Sequence, residues 1–396
     1  MMITVTEAKS LISAHAHLLP VVRLPLANAG GLMLAEDVVA RCHIPAYPQS
    51  SMDGYAFAYA ERLSSLRIVD EHAAGDRLER RLEPGTATRI FTGAALPAGA
   101  DTILMQEKAE VKDGLLYIPD ALVKKGDHVR PAGSEIEQGS MALPASTILR
   151  PPAIGFLAAI GVAEVKVIPS PRICIIVTGN ELVQPGTDML YGEVYEASSY
   201  ALKAALRALQ WNDVEVLHVR DDLNQMVDLL GGALRKADIV LMTGGVSVGD
   251  HDHTVAAASQ CGVEQVFHKV KQKPGKPFFF GKKEDRFFFG LPGNPASVLT
   301  CFYEYVLICL SRMTGRNMVL KERKATLGHD HRKPAGLTHF LRGSYQDGQV
   351  HIGTGQESYK LRSFATANCI VVLPETTEAL SAGMEVDIHL LPEYGY

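Results

Sequence analysis

A glycine-rich turn between an apolar run and a helical pattern most constrains how this chain can fold. Residues 239–242 (IVLM) lead directly into residues 243–250 (TGGVSVGD), and helical spacing follows at about 252–259. A buried strand that breaks into three glycines before a helix presents backbone N–H groups to a ligand, and the helix N-terminus favours an anion such as phosphate. Taken alone, the segment is also compatible with a plain strand-to-helix turn.

Two further glycine turns end apolar runs in the same way. They lie at residues 178–181 (TGNE) and 291–295 (LPGNP). Because loops at the carboxyl ends of parallel strands gather at one edge of a sheet, the three turns together predict a pocket at that edge.

Strand and helix patterns alternate between residues 171 and 318. This alternation predicts a doubly wound, mostly parallel α/β domain with ligands at the carboxyl ends of its strands. The predicted strands cover residues 173–177, 214–219, 238–242, 263–270 and 286–291, and the predicted helices cover about 198–210, 222–236 and 296–313.

The segments on either side of the α/β pattern differ from it. Helical spacing recurs at residues 6–18, 26–40 and 141–168, where Pro151 and Pro152 stand near the start of a helix. Turn residues and short β-like runs fill the rest. We therefore predict a multidomain α/β plus β protein with a helical unit split between 1–45 and 141–168, an inserted β domain at 46–140, the α/β domain at 169–320 and a small C-terminal β domain at 321–396.

The overall composition limits the classes of partner. Hydrophobic residues make up 47% of the chain, charged residues make up 21%, and the net charge is −5, so no general attraction to nucleic acid or an anionic membrane is expected. The six cysteines are scattered without a C-x-x-C pair, which predicts reduced thiols in a cytoplasmic protein. We see neither a signal peptide nor an apolar segment long enough to span a bilayer.

Carboxylates follow the strand ends of the α/β domain. Grouped beside a phosphate pocket, they predict a Mg²⁺ site, because Mg²⁺ prefers oxygen ligands and bridges them to phosphate. For Asp221, which stands just before a predicted helix, an N-cap role is an equal alternative. His251 and His253 are more typical of a loop than of a metal site. The carboxylates in question are Glu181, Asp221, Asp250 and Asp252.

A lysine-rich segment leads into two phenylalanine triplets. On a strand, Lys269, Lys271 and Lys273 would share one face, and a Pro-Gly turn would then bring Lys276 around. A lysine-guarded edge strand is the ordinary interpretation of such a run. The triplets at 278–280 and 287–289 instead predict a buried hairpin, with the lysines directed towards the strand-end pocket as cations for an oxyanion.

Six segments, taken together and in order, resemble the motifs of the molybdopterin molybdenumtransferase family, which includes the MoeA proteins and the E domain of gephyrin. The resemblance covers nearly the whole chain. The segments are residues 51–56 (SMDGYA), 91–94 (FTGA), 178–182 (TGNEL), 244–249 (GGVSVG), 273–277 (KPGKP) and 290–295 (GLPGNP).

The resemblance implies a reaction and a set of site residues. Molybdate would be inserted into adenylated molybdopterin, with Mg²⁺-dependent cleavage of the phosphoanhydride and release of AMP. Glu181, Asp221 and Asp252 would hold the metal and the adenylate end, and in a homodimer Asp53 and Thr92 would reach the cleft of the opposite subunit. The lysines would neutralise oxyanions, and two residues of the C-terminal domain would complete the molybdate pocket. The implied substrate-binding residues are Gly244, Gly245, Ser247, Gly249, Lys269, Lys273, Lys276, Pro292, Pro295, Ser297, Arg342 and Ser363.

Two positions depart from the family pattern, and two other functions remain as alternatives. Asn180 and Glu135 each stand where the family usually has Asp. One alternative is a molybdopterin adenylyltransferase, which shares the α/β domain but lacks the two β domains and is also a candidate partner. The other is a gephyrin-like scaffold. Molybdate and tungstate have the same shape and charge, so these residues do not choose between them.

Overall fold

The computed structural model of the chain describes residues 2–77, 80–119, 123–246 and 253–392. The polypeptide forms two units: Met1–Val21 joins Ile168–Tyr396 in one, and Val22–Val167 forms the other. The first helix, α1 (Val5–His15), begins at Thr4, whose hydroxyl accepts a hydrogen bond from the Glu7 amide in a capping box.

Helix α1 belongs to the larger unit. Its buried residues Ala8 and Ile12 join the apolar core of the α/β domain. The expectation that this helix packs with residues 141–168 therefore differs from the structure, because its apolar face is covered by the α/β domain.

The Val22–Val167 unit consists mainly of short strands. Its six-stranded sheet has the order β8-β5-β7-β6-β10-β9, as expected of an inserted β domain. The elements are β1 (Val22–Pro25), β2 (Met33–Leu34), β3 (Val38–Val39), β4 (Gln49–Ser50), β5 (Gly54–Phe57), β6 (Leu66–His72), β7 (Thr86–Ile90), β8 (Thr102–Met105), β9 (Glu110–Lys112), β10 (Leu115–Tyr117), β11 (Val129–Arg130), β12 (Met141–Leu143), α2 (Pro151–Ala159) and β13 (Glu164–Ile168).

The helix expected at 26–40 is wrong. That segment forms a 3-10 turn at Leu26–Asn28 followed by β2 and β3. Strands β1, β13 and β2 form one sheet, and β3 pairs with β12, so the two halves of the split unit meet largely as strands. Leu26 of the 3-10 turn, Ala29 and Leu34 of β2 all enter one core, and their spacing imitates that of a helix. The helix start predicted at Pro151 is confirmed.

The α/β domain confirms the predicted alternation. In its sheet, ordered β17-β14-β18-β22-β21-β19, the first four strands are parallel to one another, and β21 pairs antiparallel with both β22 and β19. The elements are β14 (Ile173–Thr178), β15 (Leu182–Val183), β16 (Val194–Tyr195), α3 (Ser198–Ala208), β17 (Val214–Val219), α4 (Leu223–Lys236), β18 (Ile239–Thr243), α5 (His253–Gln260), β19 (Glu264–His268), β20 (Gln272–Lys273), β21 (Phe279–Lys283), β22 (Arg286–Leu291), α6 (Pro295–Cys301) and α7 (Leu307–Thr314).

Helices α6 and α7 are joined by a π-helical segment, Phe302–Val306, into one helix. Among the described residues this helix alone has the length and apolar composition to cross a membrane, although no such segment was expected from the sequence. In the structure, 83% of the most apolar stretch of this helix is buried inside the fold. Its burial is that of a core helix. The six cysteines are free thiols, as predicted.

The C-terminal β domain closes on itself. Its strands pair in the ring β25-β26-β23-β29-β27-β25, and β20 of the α/β domain adds to β25 as a parallel neighbour. The elements are β23 (Lys321–Leu327), β24 (His331–Arg332), β25 (Thr338–Gln346), β26 (Gln349–Ile352), α8 (Arg362–Ala365), β27 (Cys369–Leu373), β28 (Ala379–Leu380) and β29 (Glu385–Leu390).

Candidate functional site

A cavity of about 570 Å³, here called the strand-end cleft, lies where the three glycine turns meet. The turns follow β14, β18 and β22, whose carboxyl ends share one edge of the sheet. This is the pocket position that the sequence predicted. The predicted residues that line it are Glu181, Asp221, Gly244, Gly245, Pro292 and Pro295.

Gly244 and Gly245 are required by the backbone and by close neighbours. Their φ angles are +95° and +61°, in the region that disfavours residues with a side chain. A Cβ on Gly244 would lie 2.6 Å from the Thr178 carbonyl oxygen, and one on Gly245 would lie 2.6 Å from the Thr254 hydroxyl. The backbone of this turn therefore approaches the cleft as only glycine allows. The predicted residues Ser247, Gly249 and Asp252 lie outside the described residues.

Asp221 faces the cleft and is not a helix cap. Its carboxylate accepts a hydrogen bond from the Thr178 hydroxyl, and its amide donates to Asn180 Oδ1 at 3.3 Å. The N-cap of α4 is Asp222, whose carboxylate accepts from the Gln225 amide at 2.9 Å. The capping alternative for Asp221 is thus excluded, and its carboxylate is held at the end of β14.

Glu181 is the second carboxylate of the cleft. Its side chain is exposed and has no hydrogen-bond partner in the part of the chain that the structure describes. Its carbonyl accepts from the Val194 amide at 2.8 Å, which fixes the backbone beside β16. Glu181 therefore presents a carboxylate to the cleft from a fixed backbone.

Three cleft residues were not anticipated from the sequence. Glu196 is buried, and its carboxylate accepts from the Ser199 amide at 2.7 Å, which satisfies a free N–H at the start of α3. An acidic residue just before a predicted helix is the signal that could have identified this contact. Tyr195 and Tyr359 add aromatic surface to the wall of the cleft.

A second cavity of about 310 Å³, here called the lysine pocket, adjoins the strand-end cleft. The two share Pro277, Pro292 and Asn294 as lining residues. Lys273 and Lys276 line the pocket, are exposed, and form no ion pair within the described ranges. Ser297, another predicted residue, also lines it. The lysine pocket therefore offers two uncompensated cations beside the glycine turns.

The expected alternation of lysines along one strand is wrong. Strand β19 ends at His268, and Lys269 adopts a φ of +79°, which interrupts the extended backbone. Lys269 lines neither the cleft nor the lysine pocket. Lys273 reaches the pocket because it lies on the separate strand β20.

Arg342 is buried beneath a loop of the lysine pocket, with 1% of its surface exposed. Its Nε donates to Ser363 Oγ at 3.0 Å, and one Nη donates to the carbonyls of Gly355 (2.9 Å) and Glu357 (3.2 Å). Burial lowers the pKa of Arg342 to about 10. Nη1 is buried with no hydrogen-bond partner among the described residues. Arg342 and Ser363 thus form one cluster that supports the 353–358 loop.

Asp53 and Thr92 meet in the other unit. The Asp53 carboxylate accepts from both the amide and the hydroxyl of Thr92 at 2.8 Å. These hydrogen bonds hold the pKa of Asp53 below its ordinary value. The pair connects the turn before β5 with the turn after β7, as two adjacent strands of one sheet allow.

Three family profiles match successive parts of the chain. They are the MoeA N-terminal region (domain I and II) at residues 3–161, the probable molybdopterin binding domain at 174–312, and the MoeA C-terminal region (domain IV) at 324–391.

Relatives and solved structures agree with these profiles. A protein of Haemophilus influenzae named molybdopterin molybdenumtransferase is 32% identical over 382 residues, covering 93% of this chain and 94% of its own length. A protein of the same name from Nostoc sp. is 33% identical and covers 92% and 87%. A crystal structure of the Pyrococcus horikosii molybdopterin biosynthesis MoeA protein matches with a TM-score of 0.82 and 28% identity over 98% of this chain and 99% of that one. This chain belongs to the MoeA family of molybdopterin molybdenumtransferases.

Proposed function

We propose that this chain is a molybdopterin molybdotransferase that inserts molybdate into adenylated molybdopterin, with Mg²⁺-dependent cleavage of the phosphoanhydride and release of AMP. The observation that carries the proposal is the direct connection of two unlike anion sites. The strand-end cleft combines glycine backbone with carboxylates, whereas the lysine pocket combines two free cations with a buried guanidinium nearby.

The strand-end cleft suits the nucleotide end of the substrate. Glycine turns at the carboxyl ends of parallel strands bring backbone amides to phosphate. Tyr195 and Tyr359 offer aromatic surface to a nucleobase at the same wall. An adenylate in this cleft would place its phosphates between the turns at 178–181 and 243–245.

Two carboxylates of the cleft offer Mg²⁺ the oxygen ligands it prefers, and the described residues contain no group of three or more His, Cys, Asp or Glu side chains that could hold a metal ion. Glu181 and Asp221 supply carboxylate oxygens, which are the hard ligands that this ion prefers. Mg²⁺ held by these residues would draw negative charge from the phosphate oxygens during cleavage of the phosphoanhydride. Thr178 orients Asp221, and Glu181 stands on a backbone fixed by Val194. Asp252 is a further candidate ligand from the sequence.

The lysine pocket suits molybdate. A compact dianion requires charge-assisted hydrogen bonds, which Lys273 and Lys276 offer without competing ion pairs within the described ranges. Arg342 does not line the pocket itself, but it supports the 353–358 loop, whose Gln356 and Ser358 do line it. The pocket shares Pro277, Pro292 and Asn294 with the cleft, so molybdate and the phosphoanhydride would lie next to each other.

A homodimer is part of this proposal. Asp53 and Thr92 form a fixed pair in the Val22–Val167 unit, whereas Glu181 and the lysines belong to the other unit. We propose that the pair completes the cleft of the opposite subunit.

The six free thiols are compatible with a reducing cytoplasm.

The test is an assay of AMP release by purified protein with adenylated molybdopterin, Mg²⁺ and molybdate. AMP should appear only when molybdate and Mg²⁺ are both present, and Lys276→Ala should require more molybdate than the wild type. The matched control is Lys282→Ala, which removes a lysine paired at 3.6 Å with Glu264 on the antiparallel edge of the sheet. AMP release that ignores molybdate would contradict the proposal. Pyrophosphate release from ATP and molybdopterin would indicate the adenylyltransferase instead.

A further inference from the structure

Gln272 is a buried residue directly beneath the turn that carries the two cations of the lysine pocket. It stands on β20, and none of its surface is exposed to solvent. Its side-chain Nε2 donates to the carbonyls of Pro274 and Gly275, at 3.1 Å each. Lys273 precedes these two residues and Lys276 follows them. The side chain of Gln272 therefore holds the backbone that joins the two cations.

Tyr305, on the π-helical segment of the core helix, fixes the direction of the Gln272 amide. Its hydroxyl donates to Gln272 Oε1. Tyr305 is fully buried, and burial raises the pKa of its hydroxyl well above the ordinary value, so the group keeps its proton. Backbone carbonyls only accept hydrogen bonds, so Nε2 has to face the turn, and Oε1 then faces the hydroxyl. Both ends of the amide are satisfied in this one orientation.

The turn lies so close to the core helix that only glycine fits at position 275. Gly275 has a φ of +84°, and a Cβ there would lie 2.8 Å from Gln272 Nε2 and 2.7 Å from Cys301 Sγ. Cys301 ends α6, and the Tyr305 ring packs on Phe278 with the ring centroids 4.7 Å apart. The inner side of the turn is therefore held by the protein core.

A buried polar pair fixes this backbone more narrowly than apolar packing would. Burying an amide and a phenol costs free energy unless their hydrogen bonds are made, so the pair stabilises one arrangement of the turn over its alternatives. The lysine pocket needs such support, because Lys273 and Lys276 form no ion pair within the described ranges and repel each other. A turn that moved freely would let the two ammonium groups separate.

We propose that Gln272 and Tyr305 are positioning residues that hold Lys273 and Lys276 together for one oxyanion. This inference rests on the proposed function, which assigns molybdate to the lysine pocket. Gln272 is part of the pocket wall, but its amide is already engaged by the turn and by Tyr305, so it acts on the anion through the lysines. The pair thereby lowers the molybdate concentration that turnover requires, without contributing to adenylate binding.

The first measurement is molybdate binding without turnover. The full-length protein is titrated with sodium molybdate by calorimetry. Gln272→Met keeps the length of the side chain but cannot donate to the turn, and it should weaken molybdate binding about tenfold, the effect of losing one charge-assisted contact. Tyr305→Phe keeps the ring on Phe278 and removes only the hydroxyl, so it should weaken binding about threefold.

The double variant tests whether the two residues act as one unit. If Tyr305 acts only through Gln272, the variant with both substitutions should bind molybdate about as weakly as Gln272→Met alone. Independent contributions would instead multiply to about thirtyfold.

Thr314→Val is the matched control. Thr314 is a buried residue of the same core helix, its hydroxyl donates to the Leu310 carbonyl at 2.8 Å, and it lines neither the strand-end cleft nor the lysine pocket. The control removes a buried hydrogen bond without touching the turn. It should bind molybdate as the wild type does.

The AMP-release assay separates positioning from a general loss of folded protein. Circular dichroism and urea denaturation first establish that each variant is folded under the assay conditions. The half-saturating molybdate concentration should then rise in the order wild type, Tyr305→Phe, Gln272→Met, whereas the KM for adenylated molybdopterin stays at the wild-type value. A purely structural role would lower kcat through the fraction of active protein and would move neither constant. If molybdate binds only together with the adenylated substrate, this titration supplies the same comparison.

Three results would overturn the inference. They are an unchanged molybdate affinity in the folded variants, multiplied effects in the double variant, and a KM for adenylated molybdopterin that rises with the molybdate requirement. A wild-type protein that binds molybdate and shows the expected effects of the variants, but releases no AMP, would refute the proposed function alone. Molybdate-dependent AMP release that both variants leave unchanged would refute the positioning role alone. A wild type that neither binds molybdate nor releases AMP would refute both.

Discussion

Lys273 and His339 are register partners in the parallel pairing of β20 with β25. The pairing joins a strand of the α/β domain to the closed sheet of the C-terminal domain. It also places Lys273, a cation of the lysine pocket, beside His339. The wall of the lysine pocket at Lys273 is therefore fixed by a sheet and does not depend on loops alone.

Glu181→Gln should weaken the response to Mg²⁺. The change keeps the size of the side chain but removes an anionic oxygen ligand. We expect the Mg²⁺ concentration for half-maximal AMP release to rise at least about tenfold, the lower end of what losing even an indirect metal contact costs. Glu215→Gln, an exposed carboxylate on β17, is the control. An unaltered Mg²⁺ titration for Glu181→Gln would remove this residue from the metal site.

Subunits with different lesions should complement one another. If Asp53 and Thr92 act across a dimer, a hybrid of Asp53→Asn and Glu181→Gln subunits holds one cleft with neither lesion. Random exchange of equal amounts should restore about a quarter of wild-type AMP release, since half of the dimers are hybrids with one intact cleft. Subunit exchange is followed by native mass spectrometry. Exchange without recovery would assign Asp53 to its own chain or outside the site.

Arg342→Ala should destabilise the protein. The buried guanidinium donates to Ser363 and to the carbonyls of Gly355 and Glu357, so its removal leaves buried acceptors unsatisfied. The expected loss in the free energy of unfolding is about 3 kcal/mol. Arg342→Lys should recover little of it, because an ammonium cannot reproduce the planar fork.

Urea denaturation measures this loss, with Arg323→Ala expected to stay within about 0.5 kcal/mol of the wild type. A second outcome would change the role of Arg342. If Arg342→Ala is as stable as the wild type but requires more molybdate, the guanidinium binds the oxyanion directly and contributes little to the loop.

Lys9→Met should reveal a buried ion pair that joins α1 to the core helix. Lys9 Nζ lies 2.6 Å from Glu304 Oε2, and His389 Nδ1 lies 2.8 Å from Oε1 of the same buried carboxylate. Breaking a buried pair from one side costs about 3–5 kcal/mol. Lys324→Met, which breaks an exposed pair with Asp387, should cost at most about 1 kcal/mol.

The effect of Lys9→Met should depend on pH. Burial raises the pKa of Glu304, but Lys9 and His389 outweigh it and hold the pKa below its ordinary value of 4.5. A depressed carboxylate pKa contributes stability above pH 4.5 that is lost as the pH falls through the folded-state pKa. The stability difference between wild type and Lys9→Met should therefore shrink below pH 4.5. A constant difference down to pH 3 would contradict the ionised pair.

His339→Gln should reduce the acid sensitivity of the fold. Because the pKa of His339 is lowered from 6.5 to about 4, the unfolded chain binds a proton there between these two values that the folded protein does not. Stability is therefore lost as the pH falls from 6.5 to 4. The variant lacks this titration, so its unfolding free energy should decline less over that window. Parallel curves from chemical denaturation across this pH range would contradict the neutral imidazole.

Local patterns identified the strand-end cleft well. Residues 178–181, 243–246 and 291–295 lie at one edge because parallel strands bring their carboxyl ends together, whatever the connecting helices contain. The capping question at Asp221 could not be decided from spacing. Asp222 follows directly, and only the backbone direction shows which carboxylate faces the helix.

Other errors have one physical origin. The apolar residues at 26–40 have the spacing of a helix although they lie in a 3-10 turn and short strands. The reason is that these elements pack their apolar side chains into the same core. The prediction that the lysines alternate along one strand required a continuous strand. The positive φ of Lys269 interrupts that strand. In both places tertiary packing, and not the periodicity of the local sequence, determined the secondary structure.

The sequence by itself determined the α/β alternation, the glycine turns at the strand ends, and the six motifs of the MoeA family. The tertiary structure alone decided that β20 pairs with β25, that Arg342 lies beneath the 353–358 loop, and that the strand-end cleft adjoins the lysine pocket. Local propensities act over a few residues. The contacts that assemble these cavities join residues more than sixty positions apart, such as Lys273 and His339, and only the closed β domain brings them together.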